Sequence, residues 1–346
     1  MSGKLQQRLN LQYPIIQAPM AGVQGSALAI AVATAGGLGS LACAMLTPAR
    51  IGDELTAIAA ATDQPVNVNF FCHQPSPADP RREQRWRAEL APYYREYGID
   101  AAAIAAAPAR APFDDQTLEL VQEFRPTVVS FHFGLPEPRL LDAVKATGAM
   151  ILSSATTLAE ARWLEHRGVD AIIAQGVEAG GHRGMFLDDD LTSQVTTFAL
   201  LPQIAHAVSL PVIAAGGIAN ADGVAAALQL GADAVQVGTS YLLCDEATTS
   251  AVHRAALQSP DAGHTALTNR FSGRPARSIV NRLLRELGPI GEVPPFPMAG
   301  AALTPLRVAA EAAGRGDFSS LWSGQNNSGC RQTGAAELTR ALAQRL

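Results

Sequence analysis

Ile172-Ile173-Ala174-Gln175-Gly176-Val177-Glu178-Ala179-Gly180-Gly181-His182-Arg183-Gly184 is the stretch from which the rest of the chain can be read. It opens inside a short apolar run, residues 171–174, of the kind a parallel sheet buries on both faces. The run breaks into a loop with four glycines, Gly176, Gly180, Gly181 and Gly184. Glycine reaches positive φ and lets the backbone approach a ligand closely. The same loop carries Glu178, His182 and Arg183. A polar loop at the C-terminal end of a sheet strand is where α/β folds place their chemistry. Alone, the pattern also reads as a glycine-rich turn with solvated charges, so the flanking segments decide.

Outward from this stretch the strand-then-helix pattern recurs. Residues 14–20 (PIIQAPM) read as a first strand, followed by a helix over 27–35 with Ser26 as its cap. Residues 38–45 form the second strand. Thr47-Pro48 then opens a helix, where proline at the first position costs no hydrogen bond. Residues 65–71 form the third strand, with Asn67 and Asn69 on one face because strand side chains alternate. Strand 127–133, helix 137–147, strand 149–155 and helix 157–166 lead to the quoted stretch, the sixth strand. A long loop, 177–197, precedes a helix over 198–207. Strands 211–215 and 234–237 flank a helix over 221–230.

Eight such units within ~250 residues predict a (β/α)8 TIM barrel over residues 11–245. An open doubly wound sheet is disfavoured because no GxGxxG follows the first strand. An insertion, 73–115, holds a charged surface helix near 81–97 and precedes a helix over 114–124. Residues 246–346 read as a mostly helical extension that packs on the barrel.

Composition excludes several functions. Hydrophobic residues make up 48% of the 346 and charged residues 16%, which fits a compact globular enzyme. A net charge of −5 with no basic stripe gives no reason to expect nucleic acid. Cys43, Cys72, Cys244 and Cys330 are widely spaced, as reduced buried thiols would be, and offer no metal-ligand pattern. The N-terminal residues lack the apolar core of a signal peptide, and no run reaches membrane-spanning length, the alanine-rich run 101–107 included. The expectation is a cytoplasmic protein with no membrane partner, either monomer or homodimer.

Barrels often hold a phosphate on the loops after strands seven and eight. Here these are Ala214-Ala215-Gly216-Gly217-Ile218 and Gln236-Val237-Gly238-Thr239. Either loop alone could be a tight turn; two at these positions favour phosphate. The only lysines, Lys4 and Lys145, end no strand, which argues against Schiff-base chemistry. A bound FMN fits better, with Pro19, Met20, Asn69 and Gln175 at strand ends to wall its ring.

These residues together amount to a resemblance. The blocks are Gln17-Ala18-Pro19-Met20-Ala21-Gly22, Val68-Asn69-Phe70, His132-Phe133-Gly134-Leu135-Pro136, the loop 176–184 and the two glycine loops. In the tail, Phe271-Ser272-Gly273-Arg274-Pro275-Ala276-Arg277 and Trp322-Ser323-Gly324-Gln325-Asn326 join them. The chain resembles the nitronate monooxygenases, formerly 2-nitropropane dioxygenases, from about residue 11 to about residue 335, with the His132 block and the tail pointing to the bacterial class I branch. The resemblance implies an FMN enzyme that oxidises alkyl nitronates, including propionate 3-nitronate, with O2, to an aldehyde or oxo acid plus nitrite. It implies FMN contacts at Asn69, Gln175, Gly180, Gly217, Gln236, Val237, Gly238 and Thr239, and an active-site histidine at His182; Pro19, Met20 and Gly181 join them as cofactor-binding candidates.

A histidine in that place can take a proton or, when charged, pair with an anion. Arg183 either adds positive field to the substrate pocket or is a solvated or structural charge. His132 either flanks the pocket or is a core histidine bonded to a carbonyl. His73, His166, His206, His253 and His264 read as helix or outer-loop residues. Relatives often carry a tyrosine near Pro295-Phe296-Pro297, where this chain has Phe296. Two other readings stay open: an FMN-dependent NAD(P)H reductase of a quinone or enoyl thioester, and a flavin-free phosphate-binding isomerase or lyase.

Overall fold

The computed structural model describes residues 3–104 and 111–346. Part of the alanine-rich run and the first two residues lie outside the described residues. The chain begins with α1 (Lys4–Arg8), β1 (Ile15–Gln17), α2 (Ser26–Thr34), β2 (Gly39–Ala42), α3 (Pro48–Ala61) and β3 (Val66–Phe71). Then follow α4 (Pro80–Glu96), α5 (Asp115–Phe124), β4 (Val128–His132), α6 (Pro138–Ala146), β5 (Met150–Ala155), α7 (Leu158–His166) and β6 (Ala171–Gln175). After β6 come β7 (Gly181–His182), α8 (Thr197–Ala207), β8 (Val212–Ala215), α9 (Ala221–Gln229) and β9 (Ala234–Val237). The tail adds α10 (Ala251–Leu257), β10 (Thr265–Thr268), β11 (Ala276–Ile279), α11 (Arg282–Leu287), α12 (Gly300–Ala312) and α13 (Ala335–Leu342).

Eight parallel strands form one sheet in the order β1-β9-β8-β6-β5-β4-β3-β2. A bridge between Ile16 and Leu38 joins its two edges. There Leu38 N donates to Ile15 O at 2.8 Å and Gln17 N to Leu38 O at 3.0 Å. The (β/α)8 barrel expected from the sequence is therefore the observed fold. One end of its lumen is filled by Ile16, Leu38, Leu152, Ile173 and Ile213, packed with Leu5 of α1. Toward the strand C-termini the lumen turns polar: Gln17, Ser40, Asn67, Asn69 and Ser130 are buried and linked by hydrogen bonds. The site sits on that polar end.

Local chemistry places the helices. Thr47 caps α3, accepting from Arg50 N, with Pro48 at the first position. Asp114 and Thr117 form a reciprocal box at the start of α5. Ser26, expected as a cap, is instead the first residue of α2, and the Glu54 carboxylate of α3 accepts its N–H at 2.7 Å. A partner helix has taken over the capping.

Three further expectations change. The charged helix α4 is not merely a surface helix, since Trp86, Leu90, Tyr93 and Tyr94 recur at helical spacing and are buried. They pack with Leu283, Leu284, Leu303, Leu306 and Phe318 of the tail in a second apolar cluster. The tail, expected to be mostly helical, also contains the hairpin β10–β11. The loop after β6, expected to be irregular, contains β7, which pairs antiparallel with β11 through His182↔Ala276 and Gly181↔Arg277. Tail backbone thus fixes the glycine-rich loop by sheet pairing.

Candidate active site

A cavity of about 890 Å³ opens at the C-terminal ends of the barrel strands. Pro19, Met20, Asn69, His132, Gln175, Gly180, Gly181, His182, Gly217, Gln236, Gly238 and Thr239 all border it. Val237 and Arg183 do not. Val237 ends β9 with its side chain in the hydrophobic core. Arg183 is fully buried. In the extended segment at β7 successive side chains point to opposite faces, so Arg183 turns away from the cavity that His182 faces. Its guanidinium donates to Gly176 O and Gln175 O, both at 2.7 Å, and to Gln194 Oε1 at 3.0 Å. Burial lowers its pKa to about 10, which leaves it charged at neutral pH. It is a structural charge, and not a solvated one.

His182 lies in a box of rings. Ring centroids of Trp322, Phe296, Phe133 and Phe71 lie 5.3, 5.4, 6.0 and 6.2 Å from its own. Its Nε2 is 2.8 Å from Ser272 Oγ. Ser272 Oγ also lies 3.2 Å from Arg274 O. A hydroxyl has one proton and two lone pairs. It can therefore donate to a bare Nε2, or accept from a protonated Nε2 while donating to Arg274 O. The contact suits either state of the imidazole.

The backbone at His182 is held from below. Its carbonyl accepts from Gln175 Nε2 at 3.0 Å and from His132 Nε2 at 3.2 Å. A carbonyl only accepts, so His132 carries its proton on Nε2, and its Nδ1 accepts from Ser154 Oγ at 2.9 Å. Burial, reinforced by the charges of Arg274 and Arg183, lowers the His132 pKa to about 4. His132 is thus a neutral clamp, bonded to a carbonyl, that borders the cavity. Gln175 is equally committed, because its Oε1 accepts from Gly184 N at 2.8 Å.

The glycine positions separate into two kinds. A Cβ on Gly180 would lie 2.6 Å from the backbone of Gly324, so this glycine is required by the tail loop crossing it. Gly217 has φ +73, and a Cβ there would meet Glu178 only at an ordinary 3.5 Å. Its requirement is conformational and leaves space on the cavity side. Gly238 and Thr239 begin the turn Thr239–Leu243, so their N–H groups have no acceptor within that turn.

These features fit a flavin. The Oε1 of Gln236 is buried and has no hydrogen-bond partner among the described residues, which leaves an acceptor for a ring N–H. Asn69 spends its amide nitrogen on Ser130, leaving its oxygen for a ligand. Among the described residues no cluster of His, Cys, Asp and Glu is arranged to hold a metal ion, and no helix is long and apolar enough to cross a membrane.

Sequence reasoning assigned no role to Ser272, Trp322, His253 or Asn326. Asn326 Nδ2 donates to Gly217 O at 2.9 Å. His253 Nε2 donates to Trp322 O at 3.1 Å, and burial lowers its pKa to about 4. Ser272, Trp322 and Asn326 stood in the tail blocks that carried the resemblance, which was the available signal. His73, expected in an outer loop, is buried with its ring edge-on to Phe296 at 4.9 Å.

Comparison with known proteins agrees with this geometry. The family model described as nitronate monooxygenase matches residues 3–345. The nitronate monooxygenase of Pseudomonas aeruginosa is 42% identical over 100% of this chain and 99% of its own. That of Paraburkholderia phytofirmans is 42% identical over 98% of this chain and 93% of its own. Among solved structures, a nitroalkane oxidase from Streptomyces ansochromogenes superposes with a TM-score of 0.90 at 39% identity, covering 99% of this chain and 97% of that one.

Proposed function

The chain belongs to the nitronate monooxygenase family and is an oxidoreductase, and from that premise we propose that it oxidises alkyl nitronates, propionate 3-nitronate among them, using FMN and O2. The products would be an aldehyde or oxo acid and nitrite. The observation that carries this reading is the placement of His182, boxed by aromatic rings, on the same cavity as Gln236, Gly217 and Gly238.

In this reading Gly217, Gly238 and Thr239 take the phosphate of FMN, while Gln236, Asn69, Pro19 and Met20 border its ring. Bound FMN would supply the electron acceptor that passes reducing equivalents to O2. Everything else falls to the chain's own residues. The rings around His182 exclude water, which strengthens any charge contact made there. A cationic His182 pairs with the nitronate oxygens, its Nε2–H donating to Ser272, whose own proton turns to Arg274 O. A neutral His182 can accept the α-proton of a nitroalkane. His132 and Gln175 keep the His182 backbone in place through either state and are positioning residues.

The test joins two measurements. Flavin released by heat and run against standards should be FMN in stoichiometric amount. Oxygen uptake should rise with ethyl nitronate and propionate 3-nitronate and not with NADH or NADPH alone. Stoichiometric FAD, or a colourless protein that takes up no FMN, would overturn the cofactor. Anaerobic bleaching by a reduced nicotinamide with no nitronate turnover would make the chain a reductase instead.

A further inference from the structure

The cavity does not end at His182. One face of α12, at Gly300, Thr304, Arg307 and Glu311, borders it along the length of the helix, at the three- and four-residue spacing that aligns side chains. The start of α12 lies at the histidine end. A Cβ on Gly300 would sit 3.1 Å from Phe271 O, the Phe271 ring is 5.6 Å from Trp322, and Trp322 is 5.3 Å from His182. The far end is marked by Glu311, whose carboxylate accepts from Ser319 Oγ at 2.7 Å. At a rise of about 1.5 Å per residue, Arg307 stands on the order of 10 Å along the axis from Gly300.

The wall changes character along this path. Near His182 it is aromatic, then small and apolar at Ala301 and Leu303. Among the described residues bordering the cavity, Asp114, Arg307 and Glu311 carry full charges. Asp114 is spent capping α5 and Glu311 holds Ser319. Arg307 is exposed and enters no ion pair among the described residues. An apolar channel with Arg307 as its one unspent cation among the described residues fits an amphipathic chain.

We propose that this channel seats the substrate's chain, and that Arg307 recognises an anionic group at the end remote from the nitronate. The preferred substrate class is then an alkyl nitronate long enough to run along α12 and terminated by a carboxylate. This rests on the nitronate reading above and names its substrate more closely. Propionate 3-nitronate is too short to reach Arg307 while its nitronate lies at His182.

The test uses the holoenzyme and three probes: ethyl nitronate, octyl nitronate, and the octyl chain ending in a carboxylate. In the unaltered protein the carboxylate-ended chain should exceed plain octyl nitronate in kcat/KM by about fivefold, the upper range for an exposed charge contact. Arg307→Gln should bring that ratio to about one, and Arg307→Glu should invert it. Thr304→Trp fills the channel and should lower both long chains relative to ethyl nitronate. A carboxylate-to-octyl ratio of one or less in the unaltered protein, or a ratio that Arg307→Gln leaves in place, would overturn the proposal. Ethyl nitronate separates the two readings. Its turnover with no chain preference removes only this inference, whereas no turnover of any nitronate removes the parent reading as well.

Discussion

The loop that carries His182 and the tail segment that carries Trp322 meet ring to ring at 5.3 Å, yet one is held mainly by charge and the other mainly by packing. The loop is tied by buried and half-buried charges aimed at backbone. Arg183 holds two carbonyls, Glu160 accepts from Phe186 N at 2.6 Å, and Glu178 accepts from Thr197 N at 2.8 Å. The tail is held mainly by apolar packing of Leu303, Leu306 and Phe318 against α4, with buried Arg270 adding an ion pair to Glu89 of α4 at 2.6 Å. They share one device, a neutral histidine donating to a backbone carbonyl: His132 to His182 O, and His253 to Trp322 O. Apolar packing tolerates swaps of similar volume. A charge tied to carbonyls does not, since its loss leaves several acceptors buried and unpaired. The loop should therefore be the brittle side of the site.

The largest effect should come from breaking the loop's central tie. Arg183→Met keeps much of the volume and deletes every donor. Gln175 O and Gln194 Oε1 then lose this partner together, while Gly176 O keeps its bond from Ala179 N at 3.1 Å. The expected loss is about 2–5 kcal/mol, from two acceptors left unpaired at about 1–3 kcal/mol each, read from denaturant midpoints. On the tail, Leu306→Met should cost less than about 1.5 kcal/mol. If the two variants lose similar stability, the contrast between charge-tied and packed walls is wrong.

That contrast also bears on what could be read from sequence. The barrel was legible because eight apolar runs alternate with helical stretches at a regular period, and the observed sheet follows them in order. The cavity's rim was legible where it coincides with strand ends: Asn69, His132, Gln175, Gln236. Two-residue β7 was not, because two residues show no period, and its partner β11 lies almost a hundred positions away. The buried face of α4 was present in the spacing of Trp86, Leu90, Tyr93 and Tyr94, but the arginines and glutamates between them masked it. The orientation of Arg183 follows from strand alternation only once β7 is known to be a strand. The tail's share in the site depends on long-range packing that no local pattern encodes.

The shared device gives an intermediate effect, with a definite sign in pH. His132 and His253 are held neutral with pKa values near 4, while unfolded histidine titrates near 6.5. Between these values the unfolded chain binds more protons than the folded one, so stability falls as pH drops and is complete above about 6.5. From pH 7.5 to 5.0 each histidine should remove about 2 kcal/mol. His132→Gln and His253→Gln each keep a donor that cannot titrate. Each should flatten the acid loss by about half, whichever wall it serves. Denaturation midpoints at the two pH values decide it, and an unchanged slope in either variant would mean that its histidine is not held neutral.

The effect at His182 itself falls on rate and not on stability, and it separates chemistry from scaffolding. His182→Asn keeps a donor but can neither take a proton nor carry charge. Its backbone carbonyl stays available to Gln175 and His132, so the loop's tie to β4 and β6 is retained and FMN should remain bound. As a cationic partner the ring makes a charge-assisted contact to the nitronate oxygens. Losing it removes roughly 1.5–3 kcal/mol, or on the order of ten- to a hundredfold in kcat/KM. As a base alone, the ring would be dispensable for a preformed nitronate and required for neutral nitroalkanes. The cationic role is favoured because the nitronate arrives already ionised, so there is no α-proton to remove. A nitronate rate that survives while nitroalkane turnover vanishes would assign His182 as base. Loss of FMN together with activity would place His182 with Arg183, as part of what holds the loop.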